Sequence, residues 1–246
     1  MSDYSEVYIN NTPSLCIASP HSGSGKTMLS CGLTRAFKNR GLTVQSFKAG
    51  PDYIDPLFHD TVMGDDERHD GIRKCENLDT YFSDYDTVRD IFSKCSHGAD
   101  ISVIEGVMGL YDGLGGIDRQ GATYDLASCL GVPIILIIDE KGASRSLIAM
   151  IRGFMDYDES SLIRGVILNR CTKSLYDKLS SIIREELGIR PFGYLPELKD
   201  MGIESRYLGL TLPQEIVDIK IKLARLAECM EESVDIDGII ETCNSL

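Results

Sequence analysis

Residues 14–41, SLCIASPHSGSGKTMLSCGLTRAFKNRG, constrain the fold more than any other part of this chain. An apolar run, a turn of small residues and a helical pattern closed by Gly41 follow one another directly. That order lets backbone N–H groups converge on a phosphate, while the helix N-terminus adds its positive end. The usual spacing of such a loop is G-x-x-x-x-G-K-[S/T], and here the first glycine position holds Pro20. Gly23, Gly25, Lys26 and Thr27 are in place. In a nucleotide site of this kind, Ser22, Gly23, Ser24 and Gly25 wrap the phosphates of ATP. Lys26 then reaches the β- and γ-phosphates and the Thr27 hydroxyl ligates Mg²⁺. The plain alternative is a Gly/Ser turn that caps an ordinary helix.

The rest of the chain repeats the alternation. Runs at 15–19, 42–47, 100–105, 133–139, 164–169 and 191–195 read as strands. Several are continuously apolar, as parallel strands covered on both faces are. Helical patterns fall at 26–40, 84–97, 121–131, 143–156 and 174–188, with an amphipathic one near 212–232. The expected fold class is α/β, a P-loop NTPase whose mostly parallel sheet carries helices on both faces. Ligands in such sheets bind beyond the carboxyl ends of the strands. With 246 residues and no internal repeat, low-complexity tract or linker, the chain reads as a single domain, 1–246.

Composition excludes several functions. The net charge is −13 and no Lys/Arg cluster interrupts the acidic background, which argues against a nucleic-acid footprint. No apolar run approaches the roughly 20 residues that span a bilayer, so no membrane role is expected. The start, MSDYSEVYIN, lacks a basic stretch followed by an apolar one, and a cytoplasmic location follows by default. Eight cysteines at 16, 31, 75, 95, 129, 171, 229 and 243 contain no C-x-x-C pair and read as reduced thiols rather than a metal site.

Two further strand ends carry chemistry. In FKAGPDYIDPLFH, Lys48 is expected at the strand tip, beside the phosphate loop if the strand order is the usual one, and Gly50-Pro51 breaks the regular structure. Pro56 suits the first turn of a new helix, which makes Asp55 either its N-cap or a site residue. Asp52 has no such local role and is the stronger candidate for metal or substrate. In SVIEGVMGLYDG an apolar strand finishes in Glu105, the Walker B pattern in which a carboxylate holds Mg²⁺ directly or through water. The glycine-punctuated tail, residues 106–113, lies at the same end of the sheet.

SPHSGSGKT, KAGPDYIDPLFH, NLD (77–79), VIEGVMGLYDG, GVILNR and ESRYLGL occur in this order. Together they resemble the synthetase domain of the cobyrinic acid and nickel-sirohydrochlorin a,c-diamide synthase family, over about residues 13–243. That family tolerates proline at the start of its loop. The resemblance implies a dethiobiotin-synthetase-like P-loop fold and ATP-dependent amidation of acetate carboxylates on a corrinoid or related tetrapyrrole polyacid, through an acyl phosphate. It implies Lys26, Lys48, Asp52, Asp55 and Glu105 as catalytic residues, with Mg²⁺ on Thr27, Asp52 and Glu105. It also implies Tyr53, Ile54, Asp55, Gly109 and Tyr111 near the substrate, and Asn169 as an adenine reader or a strand-end turn residue. Full-length members continue into a glutaminase domain with a nucleophilic Cys and a His. None of the cysteines here sits in such a turn, so three alternatives stay open: the chain is a fragment of a longer protein, a separate glutaminase domain or subunit supplies ammonia, or ammonia comes from solution.

Two other functions stay open: a dethiobiotin-synthetase-like carboxylase, and a nucleotide-switched partitioning-type ATPase. The carboxylase lacks the GPDYIDP and EGVMGLYDG blocks. Against the ATPase, position 21 is His where that group has a second lysine. Arg73, Lys74, Arg145 and Arg206 are candidates to meet the polyacid or are solvated charges, and relatives suggest a homodimer.

Overall fold

Strand β1 (Ser14–Ala18) is buried along its whole length, and its side chains divide by parity. Leu15 and Ile17 enter one apolar layer, Cys16 and Ala18 the other. Alternation across a pleat sends successive side chains to opposite faces, so this strand lies in the middle of three layers. Strand β5 (Ile134–Asp139) repeats the pattern, with Ile135 and Ile137 on the first side and Ile134, Leu136 and Ile138 on the second.

The computed structural model describes residues 12–64, 73–198 and 212–243. The remaining strands are β2 (Val44–Ala49), β3 (Glu76–Leu78), β4 (Ile101–Glu105), β6 (Ile163–Asn169) and β7 (Arg190–Tyr194). They form a seven-stranded sheet in the order β3-β2-β4-β1-β5-β6-β7, with every neighbouring pair parallel. Helices α1 (Lys26–Asn39), α2 (Asp55–Met63), α7 (Ile219–Ser233) and α8 (Ile236–Cys243) cover one face. Helices α3 (Tyr85–Ser96), α4 (Thr123–Leu130), α5 (Ser146–Asp156) and α6 (Lys173–Ile182, extended by the wider turn Ile183–Leu187) cover the other. The expected α/β architecture is therefore the one observed.

Local chemistry sets the helix ends. Asp84 and Thr172 cap α3 and α6 by accepting from Thr87 N and Leu175 N, each satisfying an N–H that the first turn leaves free. Lys38, buried on α1, donates to the carbonyls of Val62 and Met63 at 3.0 and 2.7 Å. A cation there meets the negative end of α2 and fixes that helix against α1.

Three differences from the sequence reading bear on the site. Strand β2 extends to Ala49, past the expected end at 47. The three-residue edge strand β3 and the short helix α8 were not expected. Strand β4 lies between β1 and β2, so Lys48 does not adjoin the phosphate loop directly. The helices that follow β1 and β4 go to opposite faces, which opens a crevice at the carboxyl ends of these adjacent strands. Such a switch point is where ligands enter open α/β sheets. No helix among the described residues is long and apolar enough to cross a membrane.

Candidate functional site

The loop after β1 turns into α1 at Gly25, whose φ of 91° is left-handed. A Cβ at Gly25 would lie 2.4 Å from the Asn169 amide nitrogen, so both backbone shape and space demand glycine. Asn169 ends β6, is fully buried, and donates through Nδ2 to the Ser24 carbonyl at 2.9 Å. Its Oδ1 accepts from Arg170 N. In this structure Asn169 pins the loop to the sheet. Ser24 is buried too, and its hydroxyl donates to the His21 carbonyl at 2.9 Å.

A cavity of about 430 Å³ opens at this point. Ser22, Gly23, Gly25, Lys26 and Thr27 line it from the loop and α1. Lys48 from β2, Glu105 from β4, and Asp52 and Asp55 ahead of and on α2 complete it. Nine residues that the sequence pattern singles out therefore converge on one space. Ser24, Asn169, Tyr53, Ile54, Gly109 and Tyr111 are not among those lining it. Arg170 lines it and was not anticipated. It has a left-handed φ of 55°, pairs with Asp139 and donates to the Gly23 carbonyl.

The floor of the cavity is a buried charge cluster. Strand register sets Lys48 beside Glu105. The Lys48 ammonium lies 3.0 Å from Glu105 Oε1 and 2.7 Å from Asp55 Oδ2, and donates to the Gly106 carbonyl at 3.0 Å. Glu105 Oε1 also accepts from the Thr27 hydroxyl at 2.5 Å, and Oε2 lies 2.7 Å from His59 Nε2. Burial disfavours the Glu105 carboxylate, but the Lys48 charge and the His59 hydrogen bond outweigh it and hold the group well below the usual carboxylate range. Burial likewise opposes the Lys48 ammonium, and Glu105 and Asp55 reverse the sign, raising it above an ordinary lysine.

Of the two roles left open for Asp55, the structure shows the site one, and the helix-start bonds fall to Asp52 instead. Asp52 Oδ1 accepts from Ile54 N and Asp55 N at 2.8 and 3.0 Å, so Asp52 performs the local turn and helix-start work. Asp55 is the first residue of α2, with Ile54 before it and no side-chain cap, and its carboxylate goes to Lys48. Sequence spacing alone could not separate an N-cap from a residue three places earlier that makes the same kind of bond. Asp52 still lines the cavity.

The other expected residues spread outwards. Tyr53 is 81% exposed. Gly109 is enclosed: a Cβ there would lie 2.4 Å from both the Pro20 carbonyl and Asp112 Oδ2, so the loop after β4 can fold under the phosphate loop only with glycine. Tyr111 stacks among Phe154, Tyr124 and Tyr157, and its hydroxyl donates to the Phe154 carbonyl. Arg73 donates to Gln45 and to the carbonyls of Cys95 and His97, Lys74 is exposed, and Arg145 pairs with Glu186. None of these three lines the cavity. Arg206 and the ESRYLGL block lie outside the described residues. All eight cysteines are free thiols, and burial pushes Cys16 up to about 12.

Lys26 donates to Ser19 Oγ at 3.0 Å and to the Met108 carbonyl at 2.6 Å. Burial and then the Lys48 charge lower it from 10.5 to about 8. The sign of the consequence follows from linkage. A bound phosphate favours the ammonium and raises that pKa, so binding takes up a proton at pH above about 8. Affinity for a non-hydrolysable ATP analogue without divalent metal should therefore be flat below about pH 8. Above that it should fall, approaching a factor of about ten per pH unit. A fluorescence titration across pH 7–10 checks this; a flat profile would contradict it.

Mg²⁺ fits the oxygens present. The Thr27 hydroxyl and Glu105 Oε1 share a direct hydrogen bond of 2.5 Å. With magnesium bonds of about 2.0–2.1 Å the edge of an octahedron is about 2.9 Å, so the two oxygens would part by a few tenths of an ångström to take the ion between them. Among the described residues no cluster of three or more His, Cys, Asp or Glu could cage a metal alone. A small protein donor set completed by phosphate and water is the usual magnesium arrangement.

Residues 15–206 match the family model described as the CobQ/CobB/MinD/ParA nucleotide binding domain. The chain is 39% identical over 230 residues to a cobyrinate a,c-diamide synthase of Clostridium acetobutylicum, covering 93% of this chain and 50% of that protein. It is 38% identical to the protein of the same name from Methanocaldococcus jannaschii, covering 92% and 49%. It is 36% identical to a hydrogenobyrinate a,c-diamide synthase of Rhodobacter capsulatus, covering 94% and 52%. The chain thus spans about half the length of the curated relatives it matches. Among solved structures, chloroplast FtsY from Physcomitrella patens superposes with a TM-score of 0.52 at 13% identity, covering 87% of this chain and 65% of that one. The MinD cell division protein of Aquifex aeolicus gives 0.50 at 15% identity, covering 94% and 95%. These two agree in fold alone.

Proposed function

The chain belongs to the CobQ/CobB/MinD/ParA nucleotide-binding family, and from that premise we propose that it activates acetate carboxylates of a corrinoid-type polyacid with ATP and converts them to amides. A carboxylate is a poor electrophile because its charge repels nucleophiles and oxide is a poor leaving group. A carboxylate oxygen attacks the γ-phosphorus, the bond to the bridging oxygen breaks, and ADP leaves. Ammonia then adds to the carbonyl carbon of the acyl phosphate, the bond from that carbon to the phosphate oxygen breaks, and phosphate carries away one ammonia proton.

The protein's part is to hold two anions together and neutralise the charge that moves between them. Lys26 reaches the phosphoryl oxygens from the loop. Lys48, kept charged by Glu105 and Asp55, faces the same cavity from two strands away. Asp52 and Asp55 place α2 and the segment carrying exposed Tyr53 at the mouth, where the substrate carboxylate would enter. When bound, Mg²⁺ on Thr27 and Glu105, with Asp52 nearby, would withdraw charge from the phosphates. The observation that carries the proposal is the convergence of Lys26, Lys48, Thr27 and Glu105 on one cavity, in a chain with 36–39% identity to diamide synthases.

Ammonia from a glutaminase domain or subunit, or free ammonium, and a homodimer belong to the same proposal. Mass spectrometry of cobyrinic acid, hydrogenobyrinic acid and nickel-sirohydrochlorin after incubation with ATP, Mg²⁺ and ammonium tests it. The expected result is a mass change of hydroxyl to amino at up to two carboxyls of one macrocycle, matched by ADP. ADP released only with a diamine and bicarbonate, or stimulated by DNA with no amide formed, would overturn it.

A further inference from the structure

His59 is the only buried histidine among the described residues, with no exposed surface. It lies one turn after Asp55 on α2, and residues four apart share a helix face. One face of α2 therefore sends Asp55 to Lys48 and His59 to Glu105. His59 Nε2 lies 2.7 Å from Glu105 Oε2, and with a carboxylate oxygen as the acceptor the ring N–H is the donor. Nδ1 is buried without a hydrogen-bond partner. A position surrounded by core residues such as Phe58 and Val62 would be served better by an apolar side chain, unless the Nε2 contact matters.

The geometry points to His59 as a positioning residue: by occupying Oε2, it fixes the Glu105 carboxylate so that Oε1, beside the Thr27 hydroxyl, is the oxygen offered to the magnesium ion of the nucleotide. The contacts divide between the two oxygens accordingly. Oε1 takes Thr27 and Lys48, both residues of the cavity wall, and Oε2 takes His59 from behind. Thr27 and Lys48 hold the carboxylate by one oxygen only, and His59 adds an anchor on the other, so any turn about the last bond breaks contacts at both oxygens. Partners of this kind orient the groups that touch a metal and strengthen its binding. The inference rests on Glu105 being a magnesium ligand.

The test measures binding of a fluorescent, non-hydrolysable ATP analogue with and without Mg²⁺, beside thermal stability, for His59→Leu, His59→Gln and Glu105→Gln. Gln can place an amide N–H where Nε2 stands. His59→Leu should lose about 10–100-fold of the affinity that Mg²⁺ adds, with metal-free affinity unchanged. His59→Gln should retain most of it. If His59→Leu does not fold, His59→Asn, whose amide is too short to reach Oε2, replaces it in the same comparison. Normal magnesium dependence in the Leu or Asn variant, or a Gln variant equally impaired, overturns the positioning role. If Glu105→Gln also leaves the dependence unchanged, the magnesium reading of Glu105 falls with it; if Glu105→Gln alone is impaired, only the role of His59 is lost.

Discussion

Lys48→Met is expected to lower the melting temperature by about 6–20 °C, a loss of roughly 3–5 kcal/mol in a protein of this size. The side chains of Lys48, Asp55 and Glu105 are 3%, 8% and 1% exposed. Removing the lysine leaves two carboxylates out of water with their main positive partner gone, and the Gly106 carbonyl loses its donor. The cost is that of stranded charge, which exceeds what the intact pair contributes. The double variant Lys48→Met/Asp55→Asn should therefore be more stable than the single one, since one stranded charge is neutralised. Thermal and urea denaturation of the three proteins decide this. A single variant within experimental error of wild type would mean that the cluster is open to solvent and that the geometry given for it is wrong.

Lys26→Met should behave in the opposite way. It should reduce nucleotide turnover by at least about 10²–10³-fold, the scale of losing one preorganised charge at a transferring group. Yet its melting temperature should be no lower than that of wild type. Burial lowers the Lys26 pKa from 10.5 to about 8, so at neutral pH the folded protein holds this ammonium against its solvation. That opposes folding by on the order of 3 kcal/mol, which offsets the loss of its bonds to Ser19 and Met108. On the same sign, wild-type stability gains from this group as pH rises from about 8 towards 10.5. Two lysines facing one cavity thus separate cleanly: Lys48 supports the fold, and Lys26 is kept at the fold's expense. ADP release and calorimetry check the pair, and a strongly destabilised Lys26→Met would remove that distinction.

How far the site could be read from sequence depended on how local each feature was. The β1–loop–α1 unit needs only consecutive residues, and its lysine, threonine and glycines stand where their spacing put them. Glu105 was legible for the same reason, as the acid that ends an apolar strand. Lys48 was legible as a site residue but not in its relation to the loop. Strand order is a tertiary property, and β4 enters between β1 and β2. Edge strand β3 was missed because only Leu78 of its three residues is buried, which leaves no periodicity to detect.

The two readings open for Asp55 reflect a true ambiguity, since either Asp52 or Asp55 can reach the first free N–H groups of α2. His59 carried a signal that the sequence reading did not use: it follows Asp55 by four residues in a helix that Pro56 opens. Arg170 carried none, because its direction depends on a left-handed backbone at the end of β6.

The most direct test of the account is a crystal structure with Mg²⁺ and a non-hydrolysable ATP analogue. The triphosphate is expected in the cavity between the loop and β4, with the terminal phosphorus within reach of both Lys26 and Lys48. The metal is expected on Thr27 and Glu105 Oε1, with His59 still bonded to Oε2. A triphosphate bound elsewhere, or a terminal phosphorus remote from Lys48 and Glu105, would contradict it.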